Sequence, residues 1–190
     1  TIAKHQLGWA PAGWDQLVRQ LATKRQVTPQ ELLEVGLASP RQRGGGVYDR
    51  FRERVIFPIR DAGGHPVGLG GRILGKEGEG GADTGPKYLN SPATPLFDKS
   101  RTLYLIDRAK TAIRKTGQAV IVEGYTDALM AHQSGFENVV ASLGTALTPQ
   151  QVALITRLAC AHPEVVDLEV NPLLATAEGA VALDARAVAV

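Results

Sequence analysis

The chain is predicted to be an α/β protein in three parts: a mixed α+β amino-terminal subdomain, a shortened parallel α/β subdomain, and a carboxyl-terminal β-hairpin. Three observations predict it. Apolar residues recur at helical spacing near the start, as in "PAGWDQLVRQLATK". Two apolar runs then flank a Gly-Gly turn in "VYDRFRERVIFPIRDAGGHPVGLGGRIL". Finally, the order β-loop-α-β-loop-α runs from about residue 119 to the helix opening at Thr148, which is the grammar of a parallel sheet.

Residues 1–40 read as mostly helical, with Trp14, Leu17, Val18 and Leu21 on one helical face. Thr28 is placed to cap a second helix, with Pro29 at its first position and Glu31 three residues after the cap. Residues 39–46, "SPRQRGGG", read as a loop, and 47–75 as a β-hairpin. The polar stretch "KEGEGGADTGP", 76–86, reads as an exposed flexible loop. "LYLIDRAKTAIRKTG" reads as a helix that Gly117 ends. A strand follows at 119–122, a helix from about Asp127 to Gln133, a strand at 138–142 and a helix from Thr148. The last stretch, "EVVDLEVNPLLATAEGAVALDARAVAV", reads as two strands about the turn "AEG".

Composition narrows the function. Of 190 residues, 44% are apolar and the net charge is only +2, so a nucleic-acid role must rest on a local patch. The one cysteine, Cys160, can build neither a disulfide framework nor a Cys-rich zinc site. No signal peptide stands at the start, and the apolar runs are too short to span a bilayer, so no membrane role and a cytoplasmic location are expected. The first residue is Thr1, not Met, so a piece of something longer is expected. The four histidines are scattered, with no metal-ligand spacing, and are expected at surface or cap positions.

The carboxylates carry the chemistry. In "VIVEGYTDAL", Glu123 stands at the carboxyl end of a buried strand, where ligands bind in open α/β sheets. Gly124 permits a tight turn, and Asp127 falls in the first turn of the next helix. Oxygen-only ligands suit magnesium, which keeps waters and meets substrate phosphates. The alternative is that Asp127 caps a helix and Glu123 is a solvated loop acid. A phosphate-handling site calls for more acids on a neighbouring strand. The strand "NVVAS" ends in none, and the nearest pair at the right spacing is Asp167 and Glu169.

The cations form a second theme. In a strand, Arg50, Arg52 and Arg54 of "DRFRER" would project from one face, with Arg60, Arg72, Lys87, Lys99 and Arg101 in the same half. Guanidinium forks match phosphate oxygens, although a solvated strand face is the alternative. "GLGGR", 68–72, would let a backbone approach a ligand closely, but it does not open a dinucleotide-binding helix.

Five stretches in order, "LGWAPAGWDQL", "YDRFRERVIFPIRD", "VGLGGRIL", "PKYLNSPATPLF" and "VIVEGYTDALMAHQSG…ASLGTALT", resemble the catalytic core of bacterial DnaG-type DNA primase. The resemblance runs from about residue 5 to 158. It implies an amino-terminal subdomain, 1–117, that faces nucleic acid, and a partial TOPRIM subdomain, 118–159. It implies that Glu123 and Asp127 are catalytic and hold magnesium or manganese, with Glu123 as metal ligand or general acid/base. Arg72, Lys87, Tyr88 and Asn90 would lie near nucleotide and template, and Arg50 and Arg52 on the nucleic-acid-facing strand. The implied reaction is RNA primer synthesis from ribonucleoside triphosphates on single-stranded DNA. The family's replicative-helicase partner is implied too, but the domain that binds it does not follow here. The family's zinc belongs to a preceding domain for which no ligand set is present. From His162 on, the tail 160–190 resembles the end of an ATP-grasp domain of acyl-CoA synthetases, which implies a magnesium–ATP role for Asn171 and Asp184 beside Glu169. A join near residue 159 is therefore expected to cost the TOPRIM sheet its D-x-D strand and impair activity. The tail hairpin would cover part of the exposed edge, with Asp167 and Glu169 as stand-in acids. Two further readings stay open: a non-catalytic single-stranded nucleic-acid-binding module, and an ATP-grasp ligase fragment.

Overall fold

The computed structural model describes residues 1–74, 85–144 and 146–159, together with the backbone course of four strands beyond them. The predicted loop 76–86 lies almost wholly outside the described residues, and so do His162, Asp167, Asn171 and Asp184. The chain divides into two units, one of Ile2–Pro58 with Val67–Phe97, the other of Ile59–Pro66 with Asp98–Val190 and Thr1.

In the first unit, α1 (Ile2–His5) leads into β1 (Gly8–Ala10), α2 (Gln16–Arg25), α3 (Pro29–Glu34), β2 (Ala38–Pro40) and β3 (Val47–Asp49). The predicted capping box at α3 is present: Glu31 N–H donates to Thr28 Oγ1 at 3.3 Å, and Thr28 N–H donates to Glu31 Oε2 at 2.7 Å. That backbone bond, with one from the Thr28 hydroxyl, holds the Glu31 carboxyl below its usual pKa. Two strands interrupt the stretch read as helical. β1 pairs antiparallel with β4 (Arg54–Arg60), and β2 pairs with β3 through Ser39↔Tyr48. Trp14 lies before α2, not in it, and its ring meets Tyr48 edge-on at 5.4 Å. β4 and β5 (Pro66–Arg72) make the predicted hairpin, and β6 (Tyr88–Asn90) completes a sheet in the order β1-β4-β5-β6.

The expected strand over "DRFRER" is broken. β3 stops at Asp49 and β4 starts at Arg54, with Glu53 between them in the left-handed region at φ 51°. Arg50 N–H donates instead to the Leu37 carbonyl at 3.0 Å. Alternation ends at such a break, so the three arginines do not form one strand face. The glycines of "GLGGR" also serve another end. A Cβ on Gly68 would come within 3.1 Å of the Phe97 ring, and one on Gly71 within 2.9 Å of Phe51 and 3.0 Å of Arg54. Gly68 and Gly71 thus make room for side chains packed against the sheet.

In the second unit, a 3-10 turn (Lys99–Arg101) precedes α4 (Ile106–Thr116), β7 (Ala119–Val122), α5 (Tyr125–Gln133), β8 (Val139–Ala141) and α6 (Pro149–Ala159). α4 packs Ile106, Ala109 and Ile113 on the core with Ile121, Val140 and Ile155. Gly117 ends it at φ 65°, its N–H donating to Ile113 at 2.8 Å. β7 and β8 are parallel, Val120 opposite Val139 and Val122 opposite Ala141. The tail hairpin is present as β10 (Leu173–Thr176) and β11 (Gly179–Ala182), and β10 lies antiparallel on the other edge of β7. β9 (Leu168–Val170) pairs with β12 (Ala185–Ala187) in a separate sheet. No helix among the described residues is long and apolar enough to cross a membrane. His5 and His132 are buried, contrary to expectation; His132 Nε2 lies 2.7 Å from the Val139 carbonyl and ties α5 to β8.

Candidate functional site

Glu123 follows the last residue of β7 and Asp127 sits in the first turn of α5, both exposed. α5 begins at Tyr125, two residues before the expected start. The reason is in the core: the buried Tyr125 ring meets the buried Tyr104 ring edge-on at 4.7 Å. Tyr104 is itself fixed by a backbone bridge to Ala141, its N–H donating at 2.9 Å. Burial raises the hydroxyl pKa of both tyrosines, helped at Tyr104 by Asp107 and at Tyr125 by Tyr104. Thus the first turn of α5, and the carboxylate on it, is anchored through an aromatic pair to β8.

A Cβ built on Gly124 would lie 2.9 Å from Asp127 Oδ2, so the missing side chain leaves room for this carboxylate to fold back over the turn. Two exposed carboxylates on one strand-to-helix junction are the oxygen donors that a hard cation takes, with water and phosphate completing the shell. Among the described residues no cluster of three or more His, Cys, Asp or Glu side chains could hold a metal. β10, the strand beside β7, reads "LLAT" and carries no acid, while Glu169 is on β9 in the other sheet.

In the first unit, Arg72, Lys87, Tyr88 and Asn90 gather about the β5–β6 edge. Arg72 is paired with Tyr88 across the ladder and its guanidinium lies 5.5 Å from the Tyr88 ring centroid. Asn90 pairs with Gly70 and so shares that face. Arg50 donates from Nη2 and Nε to the Asn90 carbonyl at 3.1 and 3.4 Å. Arg54, only 1% exposed, donates from Nη1 to the Lys87 carbonyl at 3.4 Å. Burial lowers the guanidinium pKa of Arg50 and Arg54, with Arg52 a further cause at Arg54, though neither loses its charge near neutral pH. Arg52 stands apart, stacked 3.8 Å from the Trp14 ring and 5.0 Å from that of Tyr48. Alternation in "DRFRER" grouped these arginines as one face, whereas only tertiary packing separates their partners.

The amino-terminal domain of the DNA primase catalytic core matches residues 1–110, and the Toprim domain matches 117–181. The DNA primase of Synechocystis sp. is 46% identical over 157 residues, covering 83% of this chain and 24% of that protein. The DNA primase of Deinococcus radiodurans is 48% identical over 158 residues, covering 83% and 26%. The chain thus spans about a quarter of the length of these relatives. Among solved structures, the RNA polymerase domain of Mycobacterium tuberculosis primase DnaG superposes with a TM-score of 0.75 at 39% identity, covering 83% of this chain and 49% of that one. A DnaG primase catalytic domain bound to single-stranded DNA superposes with a TM-score of 0.69 at 41% identity, covering 83% and 46%.

These matches define a protein that joins a mixed α/β domain to a Toprim domain. The chain belongs to the DNA primase catalytic-core family. The Toprim match runs through residue 181 and takes in most of the tail that resembled an ATP-grasp domain, a resemblance that finds no support in these comparisons.

Proposed function

We propose that the chain carries out, as part of a primase catalytic core, RNA primer synthesis on single-stranded DNA from ribonucleoside triphosphates in the cytoplasm, with the replicative helicase as the family's partner. In this reading residues 1–117 face the polynucleotide and 118–159 hold the metal. The observation that carries it is the placement of Glu123 and Asp127 at the carboxyl end of a parallel strand, in a family whose relatives are named DNA primase. A relative solved with single-stranded DNA supports the template assignment.

Glu123 and Asp127 would hold magnesium or manganese, which when bound stabilises the charge of the triphosphate. The alternative role for Glu123 is general acid/base, taking the proton of the attacking hydroxyl. Lys87 and Arg72 meet phosphate, the Tyr88 ring offers a stacking surface for a base, and the Asn90 amide donates and accepts.

The test is incubation with single-stranded template, ribonucleotides and magnesium. Short RNA products that fall by roughly tenfold or more in Glu123→Gln are expected if Glu123 holds the metal. Absence of product from the unsubstituted chain, with salt-dependent DNA binding retained, would leave a non-catalytic binding module. That second reading is favoured by one observation, the lack of any acid on the strand beside β7.

Gly124→Ala makes a sharper probe. Its φ of −119° suits any residue, and the clash is with the end of a flexible side chain, so the fold is expected to lose under about 1 kcal/mol. Manganese affinity, read by paramagnetic resonance, is expected to fall about tenfold as Asp127 is displaced.

A further inference from the structure

Among the described residues β6 is an edge strand of three residues. Its inward bonds come from alternate residues: Ile73 N–H donates to the Lys87 carbonyl at 3.1 Å, and Ser91 N–H to the Leu69 carbonyl at 2.8 Å. By the alternation of an antiparallel ladder, the backbone groups of Tyr88 and Asn90 then point away from β5. The outward Asn90 carbonyl is the one that Arg50 engages, with two donors of one guanidinium. At the other end Arg54 donates to Lys87. Arg50 is delivered by a chain that is held on both sides, with Asp49 and Phe51 buried as its neighbours.

We propose that Arg50 is a positioning residue: its guanidinium braces the outward side of β6 at Asn90 and thereby sets Lys87, Tyr88 and Asn90 for a polynucleotide, without touching phosphate itself. This rests on the reading of the β5–β6 face as the polynucleotide surface. It reverses the expectation that Arg50 binds nucleic acid directly. A lysine has the charge but not the fork, so charge and geometry can be separated.

The experiment uses the whole chain and a labelled single-stranded oligothymidylate, with affinity measured across salt for wild type, Arg50→Lys, Arg50→Ala and Lys87→Ala. Amide exchange at Ile73 and Ser91 is followed in parallel. Arg50→Lys is expected to lose as much affinity as Arg50→Ala, roughly tenfold for two charge-assisted bonds. The salt slope is expected to stay at the wild-type value in both, while Ile73 and Ser91 exchange faster. Lys87→Ala is expected to lower the slope by about 0.7, the value for one phosphate on a single strand. Wild-type affinity in Arg50→Lys, a slope lowered by about 0.7 in Arg50→Ala and unchanged exchange would make Arg50 a phosphate contact and overturn the proposal. No binding by wild type, or an unchanged slope in Lys87→Ala, would overturn the polynucleotide reading itself; faster exchange in both Arg50 variants would then still identify the clamp as a purely structural one.

Discussion

Asp49→Ala is expected to destabilise the first unit by about 3 kcal/mol, because it removes a helix cap supplied from 31 residues away. The Asp49 carboxylate is buried and accepts Leu17 N–H at 2.8 Å and Val18 N–H at 3.0 Å. These are the second and third residues of α2, whose amides no helical carbonyl can reach. The local candidate, Asp15, makes no capping bond and pairs with Arg19 at 2.9 Å instead. Asp49→Asn keeps one of the two acceptor oxygens, sets its NH2 against the other amide and loses the charge that complements the helix amino terminus, and about 2 kcal/mol is expected from it. Urea unfolding of the three proteins measures the ladder. Equal stability of Asp49→Ala and wild type would mean that water replaces the carboxylate without cost.

Gln151→Leu is expected to cost a similar amount, about 3 kcal/mol, in the second unit. Gln151 is fully buried, at 0% exposure, and its amide is used at both ends. Nε2 donates to the carbonyls of Lys99 at 2.9 Å and Thr102 at 2.8 Å, and Oε1 accepts Thr148 N–H at 3.1 Å. Leucine nearly matches the volume but strips the Gln151 bonds from the Thr102 carbonyl and the Thr148 N–H, and leaves the Lys99 carbonyl only the Thr102 N–H at 3.4 Å; part-buried backbone groups in that state are costly. Gln151→Glu isolates charge from shape. A carboxylate there would face two carbonyls, so its folded pKa must rise above the unfolded value of about 4.3. The penalty is therefore absent below that pH and grows as pH rises, and thermal unfolding at acid and neutral pH would read it. Stability of Gln151→Glu that is flat across this range would refute the burial argument.

The two cases differ in how much the chain announced. For Gln151 the spacing Thr148-x-x-Gln151 is a capping-box pattern, and Gln151 N–H does donate to Thr148 Oγ1 at 3.1 Å. What the pattern omits is the second duty, the hold on Lys99 and Thr102, some fifty residues back. For Asp49 nothing in the neighbourhood points to α2 at all. The capping box of α3 and the Gly117 stop of α4 were legible because each depends on residues a few positions apart, and the parallel β7–β8 pair because the order of strand, helix and strand leaves the crossover little choice. The strand over Arg50–Arg54 was misread for the same reason: alternation is a local signal, and the break at Glu53 answers to bonds with Leu37 and Pro11.

The candidate site divides along the same line. Glu123, Gly124 and Asp127 are close in sequence, so their shared strand-to-helix junction could be read directly, and so could the place of Lys87, Tyr88 and Asn90 on one short segment. The partners of each arginine could not. Arg50 engages a carbonyl 40 residues away, Arg54 one 33 away, and Arg52 a pair of rings. Side-chain type and local spacing are properties of the chain, so the sequence by itself determined the element types, the caps and the chemical nature of the site. Which long side chain meets which distant backbone group depends on the ends of flexible cations finding acceptors that only the folded sheet brings within 3–4 Å, and that was decided by the tertiary structure alone.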